Sequence, residues 1–215
     1  MPLRTKICGI KSPDALEAAV MGGANYVGFV FYPPSPRNVS LERATELKML
    51  LPRTIQSVAV CVDPTDERLH EITHTLAPGY LQLHGRETPQ RVREIKEKFG
   101  VPVIRALGIR QAEDLNAMDD FADSADMLLL DARSDNPDMP GGTGHHFDWS
   151  LLAGHHFPLP WFLSGGLHEG NLANAVHATG ATMVDVSSGV EKSRGIKDPL
   201  KIRAFLTHAH TLETT

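Results

Sequence analysis

The alternation of short apolar runs with amphipathic stretches constrains this chain more than any other feature of its sequence. Several runs are apolar almost without interruption, such as YVGFVF at residues 26–31 and DMLLLDA at 126–132. Uninterrupted runs of this kind are typical of parallel strands buried on both faces. We predict eight strands, at residues 3–8, 26–31, 56–62, 80–84, 101–107, 126–132, 161–165 and 183–187.

Helix-start signals stand between these strands. Ser12, Thr88 and Asp198 each precede a proline, which places a capping side chain before a residue suited to the first helical turn. Ser40 and Thr65 are further N-cap candidates. We therefore predict an amphipathic helix after each strand, the weakest being the short stretch FDWSLLAG after the sixth strand.

Eight strand–helix units in 215 residues favour an α/β fold of the TIM-barrel class, a single (β/α)8 barrel with parallel strands. The alternative is an open doubly wound sheet, but no predicted strand is followed by the G-x-G-x-x-G fingerprint of many such sheets. No linker divides the sequence, so we expect one domain over residues 1–215. We expect roughly the last eight residues to form a frayed tail.

Composition argues against several classes of function. The net charge is −5, from 21 basic and 26 acidic side chains without a long basic run, which disfavours a nucleic-acid partner. No apolar stretch approaches the roughly 20 residues that cross a membrane, and no signal peptide is recognisable. Two cysteines are too few for a secreted disulfide framework. We expect a soluble cytoplasmic protein, and a monomer by default because no interface signature is present.

Polar residues with chemical potential gather where the predicted strands end. Cys8, His84 and Asp131 end the first, fourth and sixth strands, and Asp185 lies in the eighth. Arg37 follows the second strand in the proline-rich loop YPPSPRNV. Active sites of TIM barrels lie at this end of the strands, which predicts one shared pocket. Each residue also has a structural explanation, since free cysteines are commonly core residues and such aspartates commonly cap turns.

Two glycine- and serine-rich turns predict a phosphate site. Gly165 and Gly166 follow the seventh strand, and Ser187, Ser188 and Gly189 follow the eighth. Glycines let backbone N–H groups approach an anion, and these two loops often bind phosphate in TIM barrels. The alternative is a pair of tight turns without a ligand.

Other sequence features have simpler interpretations. The glycine-rich loop RSDNPDMPGGTGHH after the sixth strand is a candidate lid. The eleven histidines include the adjacent pairs His145-His146 and His155-His156, but none has the spacing of a known metal motif, so we expect no metal. Cys61 lies in an apolar strand and is interpreted as a core residue.

Taken in order, the motifs resemble the N-(5′-phosphoribosyl)anthranilate isomerase family. This resemblance implies a TIM barrel that works without a cofactor. It also implies an Amadori rearrangement of phosphoribosylanthranilate to 1-(2-carboxyphenylamino)-1-deoxyribulose 5-phosphate, a step of tryptophan biosynthesis. The motifs lie between residues 4 and 205 and read KICGI, GANYVGFVFYPPSPRNV, VAVCVDP, LQLHGRE, LLLDA, GGTGHHFDW, FLSGGL and VDVSSGVE…GIKD.

The resemblance also implies residue roles. Cys8 would be the general base and Asp131 the general acid, while Arg37 would face the anthranilate carboxylate. His84 and Asp185 would lie near the substrate, and the SGG and SSG turns would hold the ribose phosphate. Another phosphosugar enzyme, such as an epimerase or an indole-forming synthase, and a barrel that binds phosphate ligands without catalysis are the alternatives.

The chemistry makes opposite demands on the two proton-transfer groups. Asp131 must hold its proton until substrate binds, whereas Cys8 must lose one, so we expect the pKa of Cys8 to fall below its ordinary value of about 8.5. Strand alternation places Lys6 on the same face as Cys8, and we hypothesise that Lys6 favours the thiolate. An arginine at position 37 suits bidentate carboxylate binding.

Overall fold

The computed structural model describes residues 2–132 and 148–212, in which eight parallel strands close into a barrel in the order β1 to β8. The TIM barrel is therefore confirmed, and the open sheet is wrong. Each predicted run overlaps one strand, with ends that differ by at most two residues. The strands are β1 (Arg4–Cys8), β2 (Tyr26–Phe31), β3 (Gln56–Cys61), β4 (Tyr80–Leu83), β5 (Val103–Ile109), β6 (Met127–Ala132), β7 (Trp161–Leu163) and β8 (Met183–Val186).

Six α-helices pack around the described part of the barrel. Ser40, Thr65, Thr88 and Asp198 cap their helices as predicted, each accepting a hydrogen bond from a first-turn backbone N–H. Ser12 makes no such side-chain cap. The helices are α1 (Pro13–Met21), α2 (Leu41–Lys48), α3 (Asp66–Thr75), α4 (Pro89–Phe99), α5 (Leu172–Thr179) and α6 (Pro199–Thr211).

The connections after β5 and β6 depart from the predicted pattern of one amphipathic helix per strand. A 3₁₀ helix, Ala112–Phe121, follows β5, and its buried apolar residues Leu115, Met118 and Phe121 are spaced three apart. That spacing matches the three residues per turn of a 3₁₀ helix and places all three side chains on one face. After β6 the described residues contain only a short 3₁₀ turn, Trp149–Leu152. The candidate lid, residues 133–146, lies outside the described residues.

A short hairpin before α6 was not predicted. Its antiparallel strands are β9 (Glu191–Ser193) and β10 (Ile196–Lys197). Gly195 turns the hairpin with a φ of 79°, and a Cβ at this position would come within 2.6 Å of the Pro36 carbonyl oxygen. The hairpin therefore packs closely against the loop that follows β2.

The barrel wall divides the apolar core into an inner and an outer cluster. The inner cluster includes Cys8, and the outer one, between strands and helices, includes Cys61. At the N-terminal end of the barrel, Tyr26 packs edge-on against Tyr80 and Phe162. This aromatic layer fills that end of the interior and leaves the opposite end for a cavity.

The C-terminal helix is longer than the sequence suggested. Residues 208–211, within the expected frayed tail, belong to α6, which buries Phe205, Leu206 and Ala209 against the barrel. Across the described residues, no helix combines the length and apolar character needed to span a membrane. One domain over residues 1–215 stays a prediction.

Candidate active site

A cavity opens at the C-terminal ends of the barrel strands and brings together nine of the ten predicted site residues. Gly189 is not among the lining residues. A Cβ at Gly189 would come within 1.9 Å of the Leu167 carbonyl oxygen, so this glycine permits close packing of the β7 and β8 turns. The nine residues in the lining are Cys8, Arg37, His84, Asp131, Gly165, Gly166, Asp185, Ser187 and Ser188.

A buried ammonium group stands at the centre of the site. Lys6 Nζ donates to Asp185 Oδ1 at 2.9 Å and to Gln82 Oε1 at 2.8 Å. Burial alone would lower the pKa of Lys6, but the Asp185 carboxylate together with Cys8 outweighs burial and raises it. The charged form of Lys6 is therefore favoured, and Lys6 lies on the same face as Cys8, as strand alternation predicted.

The pKa of Cys8 is raised, which contradicts the expectation of a lowered value. Burial is the largest cause and raises it, and the Asp185 carboxylate acts in the same direction. Lys6 and Lys197 lower the pKa but do not outweigh burial. Lys6 thus acts in the direction we hypothesised, while the expectation neglected the cost of ionising a thiol inside a barrel.

Asp131 lies across the cavity on β6. Its carboxylate Oδ2 is 3.6 Å from His84 Nε2, and only 7 % of its side chain is exposed. The other ring nitrogen, His84 Nδ1, is 3.1 Å from Gln82 Nε2. The histidine therefore lies between an amide and a carboxyl group.

The turn that carries His84 is held in place by an ion pair. The Glu87 carboxylate accepts hydrogen bonds from the backbone N–H groups of Asp63 and Gly85. Arg105 donates to the same carboxylate at 2.6 Å and to the Leu83 carbonyl at 3.0 Å. Glu87 thus joins the loops after β3 and β4, and it fixes the backbone on both sides of His84.

Arg37 is already engaged by a carboxylate of the chain. Its Nε donates to Glu191 Oε1 at 2.7 Å and its Nη2 to Glu191 Oε2 at 3.0 Å. The bidentate face expected to bind a ligand is therefore occupied, because the β9–β10 hairpin packs against the loop after β2. Lys197 Nζ donates to the same Glu191 at 2.9 Å. Two cations share one carboxylate, which leaves this edge of the cavity positive.

Burial and charge act against each other at Glu191. Burial would raise its pKa, but the hydrogen bond from Arg37 and the charge of Lys197 hold the pKa below its ordinary range. Lys197 also donates to the Ser187 carbonyl at 2.8 Å, and the Ser187 hydroxyl donates to the Cys8 carbonyl at 3.1 Å. This chain of contacts ties Arg37, the β8 turn and the end of β1 together.

The two turns predicted to bind phosphate face the same cavity. Gly165 and Gly166 have φ values of 90° and 65°, a left-handed backbone that favours glycine. Ser164, just before them, donates to Asp185 Oδ2 at 3.3 Å. In the part of the chain that the structure describes, no three His, Cys, Asp or Glu side chains lie close enough together to bind a metal ion.

Five residues of this site escaped the sequence interpretation, namely Gln82, Glu87, Arg105, Glu191 and Lys197. Gln82 had a signal, because it is a polar residue in an apolar strand and lies two positions before His84, on the same face. Glu191 and Lys197 lie in the VDVSSGVE…GIKD motif but received no role, since their position depends on the unexpected hairpin. Arg37 and Glu191 are 154 residues apart in sequence.

Comparisons with known proteins find similar sequences and structures over nearly the whole chain. The family model N-(5′-phosphoribosyl)anthranilate (PRA) isomerase matches residues 5–208. A protein of that name from Paramagnetospirillum magneticum is 48 % identical over 210 residues, covering 97 % of this chain and 98 % of the relative.

Two solved structures are similar over nearly the whole chain. A phosphoribosyl anthranilate isomerase in complex with reduced 1-(o-carboxyphenylamino)-1-deoxyribulose 5-phosphate is 33 % identical, with a TM-score of 0.82 over 98 % of this chain and 100 % of that one. Monomers generated from the dimeric Thermotoga maritima enzyme are also 33 % identical, with a TM-score of 0.83 and the same coverage of both chains.

Proposed function

This chain belongs to the N-(5′-phosphoribosyl)anthranilate isomerase family, and we propose from its site geometry how it carries out that reaction. The protein is an isomerase of tryptophan biosynthesis built on a TIM barrel. The observation that supports our assignment of roles is that Cys8 and Asp131, on β1 and β6, line one cavity with Arg37 at its positive edge.

Asp131 acts as the general acid in this proposal. It donates a proton to the ring oxygen of the ribose while the anomeric C–O bond breaks. The nitrogen lone pair forms the new C=N bond, which leaves a cationic imine. The carboxyl group is nearly buried and has His84 beside it, which supports a role in a water-poor site.

Cys8 acts as the general base. It removes the proton from C2′, and the electrons of that C–H bond flow towards the cationic imine to give an enolamine that tautomerises to the ketone. The positive charge on the imine acidifies the C2′ proton and favours a thiolate nearby. Lys6 and Lys197 favour the same ionised form against the cost of burial.

The two charged ends of the substrate match the two polar regions of the cavity. We assign the anthranilate carboxylate to the positive edge at Arg37, through Nη1, since Glu191 holds Nε and Nη2. The phosphate is assigned to the N–H groups and hydroxyls of the turns after β7 and β8. These turns contain Gly165, Gly166, Ser187 and Ser188, with Gly189 setting their approach.

The relative solved with a reduced form of the product supports a ligand of this kind in this chain. The anthranilate ring then lies against the apolar part of the lining, which consists of Val30, Tyr32, Val60, Val62 and Leu167. Both chemical steps are proton transfers between side chains and substrate, so the proposal uses no cofactor. A cytoplasmic location and a monomeric state stay predictions, and the Thermotoga maritima relative is dimeric.

The roles are tested with freshly prepared phosphoribosylanthranilate, whose anthranilate-type fluorescence disappears on conversion. We expect Asp131→Asn to lower kcat by about 10²- to 10⁴-fold, the usual contribution of a general acid, with KM changed much less. Asp120→Asn, at an exposed aspartate, is the matched control and should retain wild-type turnover. Near-full turnover in Asp131→Asn would show that Asp131 is not the general acid. An inactive wild type would favour a barrel that binds phosphosugars without catalysis.

A further inference from the structure

Gln82 contacts both Lys6, which lies beside the general base Cys8, and His84, which lies beside the general acid Asp131. We propose that Gln82 fixes His84 as the neutral tautomer with its proton on Nε2. In that form, His84 presents an N–H group to Asp131. Gln82 is thus a positioning residue that acts on the acid through His84. This inference rests on the proposed role of Asp131.

The orientation of the Gln82 amide follows from Lys6. An ammonium group only donates hydrogen bonds, so the atom of Gln82 at 2.8 Å from Lys6 Nζ must be the carbonyl oxygen. The reversed amide would place its NH₂ group against an ammonium group, with no acceptor between them. Lys6 is held in place by Asp185 at 2.9 Å and is fully buried, so this constraint is permanent.

The orientation of the amide determines the tautomer of His84. With its oxygen directed to Lys6, the Gln82 NH₂ group lies 3.1 Å from His84 Nδ1. An NH₂ group only donates, so Nδ1 must accept and cannot carry a proton. The proton of a neutral imidazole then lies on Nε2. If both ring nitrogens were protonated, the Nδ1–H group of His84 would face the NH₂ group of Gln82, and neither group could accept a hydrogen bond.

The tautomer matters for the acid because His84 Nε2 is the ring atom that faces Asp131 Oδ2, at 3.6 Å. At 3.6 Å the two atoms are beyond hydrogen-bond distance, so a neutral Nε2–H group acts on that oxygen through its dipole, and the other carboxyl oxygen carries the proton for the substrate. An imidazolium at the same distance would favour the carboxylate form and so discharge the acid before substrate binds. The Nε2–H group also stabilises the carboxylate that forms once the proton has been donated.

The test is a long-range ¹H–¹⁵N correlation spectrum of the histidine rings in ¹⁵N-labelled protein at pH 7. The His84 signals are identified by their loss in His84→Asn. We expect them to show the Nε2–H tautomer in the wild type. Wild-type His84 signals of the Nδ1–H tautomer or of an imidazolium would overturn the proposal, and this outcome does not depend on any substitution at Gln82.

A charge-introducing variant sharpens the test. In Gln82→Glu, the carboxylate accepts from Lys6 and also from a protonated Nδ1, so we expect His84 to change to the Nδ1–H or imidazolium pattern. The kcat should fall by between about 10-fold and 10⁴-fold, the larger figure being the loss that a wrong histidine tautomer causes in a Ser-His-Asp triad. KM should change less.

Gln56→Glu is the matched control because it adds the same charge at the exposed start of β3. It should leave His84 and turnover unchanged. A Gln82→Glu spectrum that keeps the wild-type His84 pattern contradicts the proposal. The tautomer is read without substrate, so a failure of the Asp131 role, seen in Asp131→Asn turnover, is distinguishable from a failure of this inference.

Discussion

The two cysteines both end buried strands, but they face opposite sides of the barrel wall. Cys8 of β1 pairs with Gly28 of β2, which pairs with Val58 of β3. Cys61 lies three residues beyond Val58, and an odd number of steps along a strand places a side chain on the other face. Accordingly, Cys8 shares the inner cluster with Val58, whereas Cys61 packs in the outer cluster.

The side of the barrel wall on which each thiol lies determines which charged groups are close to it. Burial raises the pKa of Cys61 to about 12; the charge of Arg68 lowers this pKa, and the charge of Glu87 raises it further. Burial also raises the pKa of Cys8, but there Lys6 and Lys197 both act against it. Two buried residues of the same type thus differ in chemistry because one faces buried ammonium groups and the other faces helices.

Removing each thiol should give the largest contrast. We expect Cys8→Ala to lower kcat by about 10²- to 10⁴-fold, because a general base contributes that much, while KM changes much less. Cys61→Ala is the matched control and should keep wild-type kcat, since its thiol does not reach the cavity. Steady-state fluorescence kinetics measure both variants. Equal kcat losses in the two variants would show that the inner and outer cysteines do not differ in function.

Removing Lys6 should make Cys8 behave more like Cys61. In a Cys61→Val background, alkylation of Cys8 by iodoacetamide reports the thiolate, and its rate rises as pH passes the pKa. Lys6 lowers that pKa, so Lys6→Met should move the alkylation midpoint to higher pH. At a pH below the midpoints of both the parent protein and Lys6→Met, a rise of one unit in the pKa of Cys8 lowers the thiolate fraction about tenfold. We therefore expect alkylation of Lys6→Met at neutral pH to be slower by about tenfold or more.

Lys192→Met removes an exposed lysine and serves as the control for Lys6→Met. Its alkylation profile should overlay that of the parent protein. If the Lys6→Met midpoint also stays in place, Lys6 has no part in the ionisation of Cys8. Mass spectrometry of the alkylated peptide gives the rate at each pH.

Sequence reasoning located Cys8 correctly but mistook its ionisation. The strand ends could be predicted because parallel strands are continuous apolar runs, and the TIM-barrel rule then gathers Cys8 and Asp131 at one end. The direction of the Cys8 pKa could not be predicted, because it depends on how deeply the barrel buries the thiol. That depth is a property of packing and not of the KICGI motif.

The hairpin contacts were hidden for a different reason. Arg37 and Glu191 come together only after the barrel closes, and nothing local in either segment indicates the partner. The 3₁₀ helix after β5 was predicted only as an amphipathic helix, although the spacing of Leu115, Met118 and Phe121 is a local feature of the sequence. Local periodicity is thus available from sequence, while ion pairs between distant loops require the closed fold.

The space for the Cys8 thiol is provided by Gly28, and filling it should have a moderate effect. A Cβ at Gly28 would lie 2.9 Å from Cys8 Sγ and 3.4 Å from Lys6 Cε. We expect Gly28→Ala to lower the free energy of unfolding by about 1–3 kcal/mol, the usual cost of overpacking. In a Cys8→Ala background, the loss should shrink because Sγ is gone. Urea unfolding that gives the same loss in both backgrounds would show that the thiol is not the clashing group.

The smallest effect is expected where Cys61 is replaced by another apolar side chain. Cys61→Val keeps an apolar group of similar size in the outer cluster and should change the free energy of unfolding by less than about 1.5 kcal/mol. Cys61→Ser buries a hydroxyl group at the same place and should cost about 1–3 kcal/mol. Urea unfolding of both variants measures this order. If the serine variant is the more stable, Cys61 does not act as a hydrophobic residue. The environments of Cys61 and Cys8 would then be less different than their positions in the outer and inner clusters indicate.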